Sequence, residues 1–103
     1  GNRNEKIQTA VQEVAAEFLA REATPQSLIT VTRVMLSNDA KRATIFITVL
    51  PETSEGPALL FAQRNRRELA DFFRTRIRGA FPPHFEFKLD LGEKNRQRLD
   101  ELS

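Results

Sequence analysis

Residues 64–78, RNRRELADFFRTRIR, place six arginines in fifteen positions: Arg64, Arg66, Arg67, Arg74, Arg76 and Arg78. Only Glu68 and Asp71 oppose them there, and the segment holds half of the chain's twelve arginines. A guanidinium is planar, permanently charged and presents its donors as a fork that meets phosphate oxygens two at a time. The chemistry on offer is therefore contact with an anion or a nucleic acid, not proton transfer. Two effects favour the same pattern without any ligand. Arginine is a good helix former, and cations near a helix C-terminus complement its dipole. Residue types alone leave both readings open.

Catalysis has no comparable foothold. His84 is the only histidine, follows two prolines and has no partner evident in the sequence. It reads as a surface or strand-start residue. The carboxylates are scattered, with no His-x-x-His or Asp-x-Asp cluster for a metal and no phosphate-cradling glycine loop. Cysteine is absent, which removes disulfides, thiolate nucleophiles and cysteine-based zinc sites together. We expect no enzyme activity, no cofactor, no metal and no small-molecule substrate. The longest apolar run falls far short of the ~20 residues of a spanning helix. The N-terminal stretch GNRNEKIQ lacks the apolar segment of a secretory signal. The expectation is a cytoplasmic protein without a membrane partner.

These residues must be positioned by the rest of a 103-residue chain of formal charge +2, read as one domain over 1–103. Residues 4–22 read as an amphipathic helix, with Ile7, Val11, Val14, Phe18 and Leu19 on one face and Asn4 as its N-cap. ATPQS ends it, because the residue before Pro25 is pushed out of helical geometry. LITVTRVMLS (28–37), a polar turn NDAK, and RATIFITVLP (42–51) read as a β-hairpin. Ala43, Ile45, Ile47 and Val49 alternate with more polar positions on its second strand. A helical region then starts near Ser54 or Gly56, with Pro57 in its first turn, and runs to about Ile77, where GAFPP closes it. HFEFKLDL (84–91) is a strand with Phe85, Phe87, Leu89 and Leu91 facing one way. The tail, 92–103, is a short, mostly polar helix. The order is an α+β architecture, with helices on one face of a three-stranded sheet.

The long helical region carries a break. Its apolar stripe through Ala58, Leu59 and Ala62 needs an apolar residue at 65 or 66, and finds Asn65 and Arg66. It resumes at Leu69, Phe72, Phe73 and Ile77. An unbroken helix would press Asn65 and Arg66 toward the core at a cost in desolvation. A kink near 64–67 avoids this; the alternative is a straight helix whose middle lies at the edge of the core. At ~100° per residue, Arg67, Arg74 and Arg78 fall together opposite the apolar arc, with Asp71 between them and Arg64 beside them. Arg76 falls within the apolar arc, where its stem can pack while its charge reaches water.

Several segments in order resemble the ribosome-binding factor A family. SNDAKRATIFITVLP (37–51) is similar to that family's hairpin, through Ser37, Asp39, Ala43 and Ile45. PHFEFKLD (83–90) is similar to its last strand, through Pro83, Phe85, Phe87 and Asp90. RTRIRGAFP resembles its basic helix end, with Ala80 where another arginine is usual. The resemblance covers nearly the whole chain and rests on the order and spacing of motifs, none of which is specific alone. It implies a KH-like fold of the type II kind, α-β-β-α-kink-α-β. It also implies a non-catalytic assembly factor that binds 16S-type rRNA of the small ribosomal subunit. Ordinary KH modules clamp a nucleotide backbone with a Gly-x-x-Gly loop. This chain has none, and the family is similar in lacking it. The family's kink with small residues falls by position on Asn65-Arg66-Arg67, where asparagine tolerates the left-handed region better than most residues.

Lys41 and Arg42 at the hairpin turn form a candidate second patch beside the arginine stripe, although a charged turn kept wet accounts for them more simply. Arg3 and Lys6 form a third. Asp39 reads as a turn former and Asp90 as a helix cap or loop anchor. Base stacking is not expected, because there is no Trp or Tyr and the phenylalanines mostly serve the core face. Two other functions stay open. One is a protein–protein module docking through Phe46 or Leu50 on the outer sheet face. The other is a generic RNA- or DNA-binding domain indifferent to the ribosome. The chain is expected to be a monomer.

Overall fold

A computed structural model describes residues 2–22 and 27–102. Helix α1 spans Asn2–Glu22, followed by strands β1 (Leu28–Leu36) and β2 (Arg42–Leu50) and a single 3₁₀ turn at Glu52–Ser54. Helices α2 (Glu55–Arg64) and α3 (Arg66–Arg76), strand β3 (His84–Leu89) and helix α4 (Leu91–Leu102) complete the chain. The strands form one sheet in the order β1-β2-β3. The first two pair antiparallel and the last two parallel. A parallel neighbour needs a long crossover, which α2 and α3 supply.

The hairpin turn is built by Ser37 and Asp39. The Asp39 carboxylate accepts from the Ser37 hydroxyl at 2.7 Å and from the Lys41 N–H at 3.0 Å, while Ala40 takes a φ of 60°. These bonds hold the Asp39 carboxyl below its ordinary value, with the Ser37 hydroxyl the largest cause. Asp39 is thus a turn former, as its place in the sequence implies. Period-two alternation does the rest: Ala43, Ile45, Ile47 and Val49 of β2 and Phe85 and Phe87 of β3 are buried under the helices. They meet Val11, Ala15 and Leu19 of α1 and Leu69 and Phe73 of α3 in one core cluster. The opposite sheet face carries Thr44, Phe46, Thr48, Glu86 and Lys88, and none of these is buried.

Three expectations are corrected, and a fourth, the terminator around Pro25, lies outside the described residues. Asn4 is no N-cap, because the helix begins at Asn2; its side-chain amide donates instead to the Asn38 carbonyl at 3.2 Å, tying α1 to the hairpin turn. Strand β3 stops at Leu89, and Leu91 opens α4 with 62% of its surface exposed. The alternation that would have carried Leu91 inward is interrupted by Asp90. Its carboxylate accepts from the Glu93 N–H at 3.0 Å and its carbonyl from the Lys94 N–H at 3.0 Å, so it caps α4. Finally, α3 ends at Arg76, so Ile77 and Arg78 leave the helical wheel.

Candidate nucleic-acid interface

The break between α2 and α3 is real, and Asn65 makes it. Its backbone sits at φ −100°, ψ 19°, in the sparsely populated bridge region and not in the left-handed region expected of an asparagine kink. The reason is a local hydrogen-bond solution. The Asn65 side-chain amide turns back to the Phe61 carbonyl at 2.8 Å, and its backbone N–H is shared between the Phe61 and Ala62 carbonyls. The Arg66 Nε donates to the Gln63 carbonyl at 3.0 Å. Carbonyls orphaned at the end of α2 are thereby satisfied. The Asn65 carbonyl then accepts the Leu69 N–H at 3.0 Å as the first bond of α3.

Re-aimed in this way, α3 buries Leu69 and Phe73 completely, at 1% and 0% exposure. Its opposite side and the end of α2 border an open groove. Arg64, Arg66, Arg67 and Arg74 line it, together with Gln63 and Asp71 on the helices and Pro83 and His84 at the start of β3. Asp71 accepts from Arg74 Nη1 at 3.0 Å. Both side chains are exposed, so the pair holds the guanidinium in place weakly and leaves it free to exchange partners.

The other two arginines of the segment go elsewhere. Arg76 pairs with Glu17 of α1, and its guanidinium lies 4.9 Å from the Phe72 ring centroid. Its packed stem matches the wheel, but its charge is committed to the α1–α3 contact. Arg78 lies in the turn after α3, exposed, and is not among the residues lining this groove. The expected Arg67–Arg74–Arg78 stripe therefore reduces to Arg67 and Arg74, joined by Arg64 and Arg66.

Lys41 and Arg42 stand next to this groove through His84. The His84 N–H donates to the Lys41 carbonyl at 2.8 Å, and Arg42 is its register partner across β2–β3. His84 lines both the arginine groove and a second one with Arg42, Met35, Thr44 and Glu86. His84 thus stands between the arginine groove and the groove that Arg42 lines at the hairpin end of the sheet. Of the third patch, Lys6 is exposed on α1, and the side chain of Arg3 lies outside the described residues. Among the described residues no group of histidines and carboxylates is gathered for a metal. No helix among them is long and apolar enough to cross a membrane.

Two features were not legible beforehand. The first is on the outer sheet face. A β-bulge leaves Thr32 outside the pairing register, so that Arg33 stands opposite Phe46. The Arg33 guanidinium stacks 4.1 Å from the Phe46 centroid and approaches Asp90 Oδ2 at 3.5 Å. Asp90, 6% exposed, also accepts from the Thr32 hydroxyl at 2.6 Å. The Thr32 hydroxyl, then the Glu93 N–H, hold its carboxyl below the ordinary value, with smaller help from Arg33 and Arg96. The second is Phe81, exposed at 93%, whereas the other phenylalanines are buried or half-buried.

A three-stranded sheet under helices, with the crossover helix broken where KH modules carry their loop, is a KH-like fold. Its solved neighbours share that arrangement. The crystal structure of ribosome-binding factor A from Thermus thermophilus superposes with a TM-score of 0.73 at 26% identity, over 82% of this chain and 92% of that one. Coordinates of the Thermus thermophilus factor as fitted into a cryo-EM map of a 30S complex give 0.71 at 26% identity, over 81% and 90%. The ribosome-binding factor A of Methylobacterium sp. strain 4-46 is 30% identical over 105 aligned residues, 97% of this chain and 76% of that protein. The family model for ribosome-binding factor A matches residues 3–103, and the chain belongs to that family.

Proposed function

We propose that this protein is a maturation factor of the small ribosomal subunit. In this reading it grips 16S-type rRNA of the pre-30S particle, in the cytoplasm and as a monomer, without performing chemistry. The observation that carries the reading is the convergence of Arg64, Arg66, Arg67 and Arg74 on one groove at the helix break. Helices packed on a sheet present these forked donors to phosphate oxygens, so recognition is of backbone and shape. Lys41 and Arg42, paired with His84 through the backbone, supply further cations toward the hairpin turn. The relative fitted into a 30S complex supports the choice of partner. Of the two residues offered for apolar docking, Phe46 has its ring covered by the Arg33 guanidinium, while Leu50 stays exposed at the end of β2.

The test is titration against isolated small subunits and against an unrelated structured RNA at several salt concentrations. Binding that prefers the subunit and weakens by roughly 0.7–0.9 log units per log unit of salt for each phosphate contact supports the reading. Equal binding to both RNAs reduces it to a generic nucleic-acid binder, and binding to neither overturns it.

A further inference from the structure

Phe81 is the most exposed of the large apolar side chains, at 93%. It is not a loose end. Ala80 before it packs against the core, and Pro83 two residues after it is buried. Gly79, at φ 81°, turns the chain out of α3 just ahead. Pro82 and Pro83 confine Phe81 and Pro82 to extended backbone, so the ring cannot fold back by a local helical turn. A stiff loop thus holds an aromatic ring in water, and little conformational entropy remains to be lost when a ligand covers it.

Cationic residues lie close to Phe81 along the chain and across the fold. Pro83 lines the arginine groove, and two residues of chain span at most about 7 Å, which keeps the Phe81 backbone within that reach of the groove's lining. Arg78, three residues earlier, is exposed and forms no ion pair among the described residues. Of the other exposed apolar residues, Leu28 pairs with Leu50 at the open end of the hairpin, Leu91 follows the far end of β3 and Leu60 lies on α2. Met35 is at the hairpin-turn end, in the groove that Arg42, His84 and Glu86 line. Phe81 precedes the end of β3 that is bonded to the hairpin turn. A protein-docking anchor is ringed by contacts that exclude water; at 93% exposure no such ring of contacts surrounds Phe81. An aromatic face beside phosphate-binding arginines is what an unpaired base requires, because every base has a π-face.

We propose that Phe81 is the stacking platform for an unpaired nucleobase whose flanking phosphates lie in the arginine groove. This rests on the RNA-binding reading above and narrows it. The preferred ligand is not uninterrupted duplex but a junction, bulge or strand end where a base is free to leave the helix. Stacking adds affinity without base identity, so the preference is for an unpaired nucleotide of any kind.

The experiment uses the full chain with two RNA probes of equal phosphate number, one fully paired and one with a three-nucleotide bulge, and also isolated small subunits. The variants are Phe81→Ala and Phe81→Trp. The chain has no other Trp and no Tyr, so the introduced indole is the sole such reporter. Unchanged melting temperatures are expected at so exposed a position. Phe81→Ala should bind the bulged RNA roughly 5- to 100-fold more weakly and the duplex unchanged. Phe81→Trp should retain wild-type affinity and lose emission on binding the bulged RNA. Equal affinity of Phe81→Ala and wild type for the bulged RNA overturns the stacking role while leaving the groove intact. Weaker binding of Phe81→Ala to subunits but not to either RNA overturns it in favour of a protein contact. No RNA binding by the wild-type chain overturns the groove and the platform together.

Discussion

The Thr32 hydroxyl donates to Asp90 Oδ2 at 2.6 Å, joining the bulge of β1 to the residue that caps α4. Thr32 also reaches the Phe46 carbonyl at 3.2 Å, so one side chain serves the bulge, the central strand and the cap. Asp90→Ala should cost about 1–3 kcal/mol, because the Thr32 hydroxyl and the Glu93 N–H lose a charged acceptor in a site with little water. Thr32→Val should cost about 1 kcal/mol. The double variant should cost less than the sum, since both lose the same bond. Additive losses in urea denaturation would show that the two act separately.

The same carboxylate sets an acid limb of stability. Its folded pKa lies below the ordinary value, so its contribution is complete above the ordinary carboxylate range, near about 3.9. It is lost as pH falls through the folded value. Melting temperature should therefore decline from about pH 5 downward in the wild type. Asp90→Asn, which cannot titrate, should lower stability at neutral pH and flatten that decline. Parallel curves for the two proteins would place the acid sensitivity elsewhere, for example at Asp39.

Much of this architecture is written in the sequence as periodicity. Alternation through Ala43–Val49 and Phe85–Phe87 marks the two inner strands, and the missing apolar phase at Asn65 and Arg66 marks the helix break. Features that depend on distant partners left no such trace. The bulge at Thr32 sits in an ordinary β-branched run and is explained by Asp90, 58 positions away. The helical wheel already separates Arg74 from Arg76, but the partner that commits Arg76, Glu17 on α1, lies 59 positions away and left no trace in the segment. The position of Phe81 defeated the expectation that phenylalanines serve the core, because the prolines after it pin the backbone with the ring outward.

Asn65→Ala should separate the break from its charge. The substitution removes the bond to the Phe61 carbonyl and restores a good helix former, so α2 and α3 gain a tendency to run straight. A stability change within about 1 kcal/mol is expected, as lost hydrogen bond and gained propensity offset. Subunit affinity should fall more than stability does, because a straight helix re-aims Arg66 and Arg67. Affinity equal to wild type would mean that the bend does not position the arginines.

Phe73→Ala tests the phase of α3 itself. Phe73 is fully buried and meets Phe85 edge-on at 6.1 Å between centroids. Truncation should cost about 3–5 kcal/mol. An equally stable variant would refute the placement of Leu69 and Phe73 inward and of the arginines outward.

Arg67→Glu with Arg74→Glu, set against Arg76→Ala, distinguishes a groove from a general basic helix. The first two side chains line the groove, whereas Arg76 is held by Glu17 and packed over Phe72. The double charge reversal should leave the melting temperature nearly unchanged, since both positions are exposed. Each arginine that contacts a phosphate is worth roughly tenfold or more in affinity, and its loss lowers the salt slope by about one. Arg76→Ala should do the reverse, costing up to about 1 kcal/mol of stability through an exposed pair while subunit affinity stays near wild type. If all three substitutions weakened binding alike, the determinant would be the total charge of the helix and not the groove that its break creates.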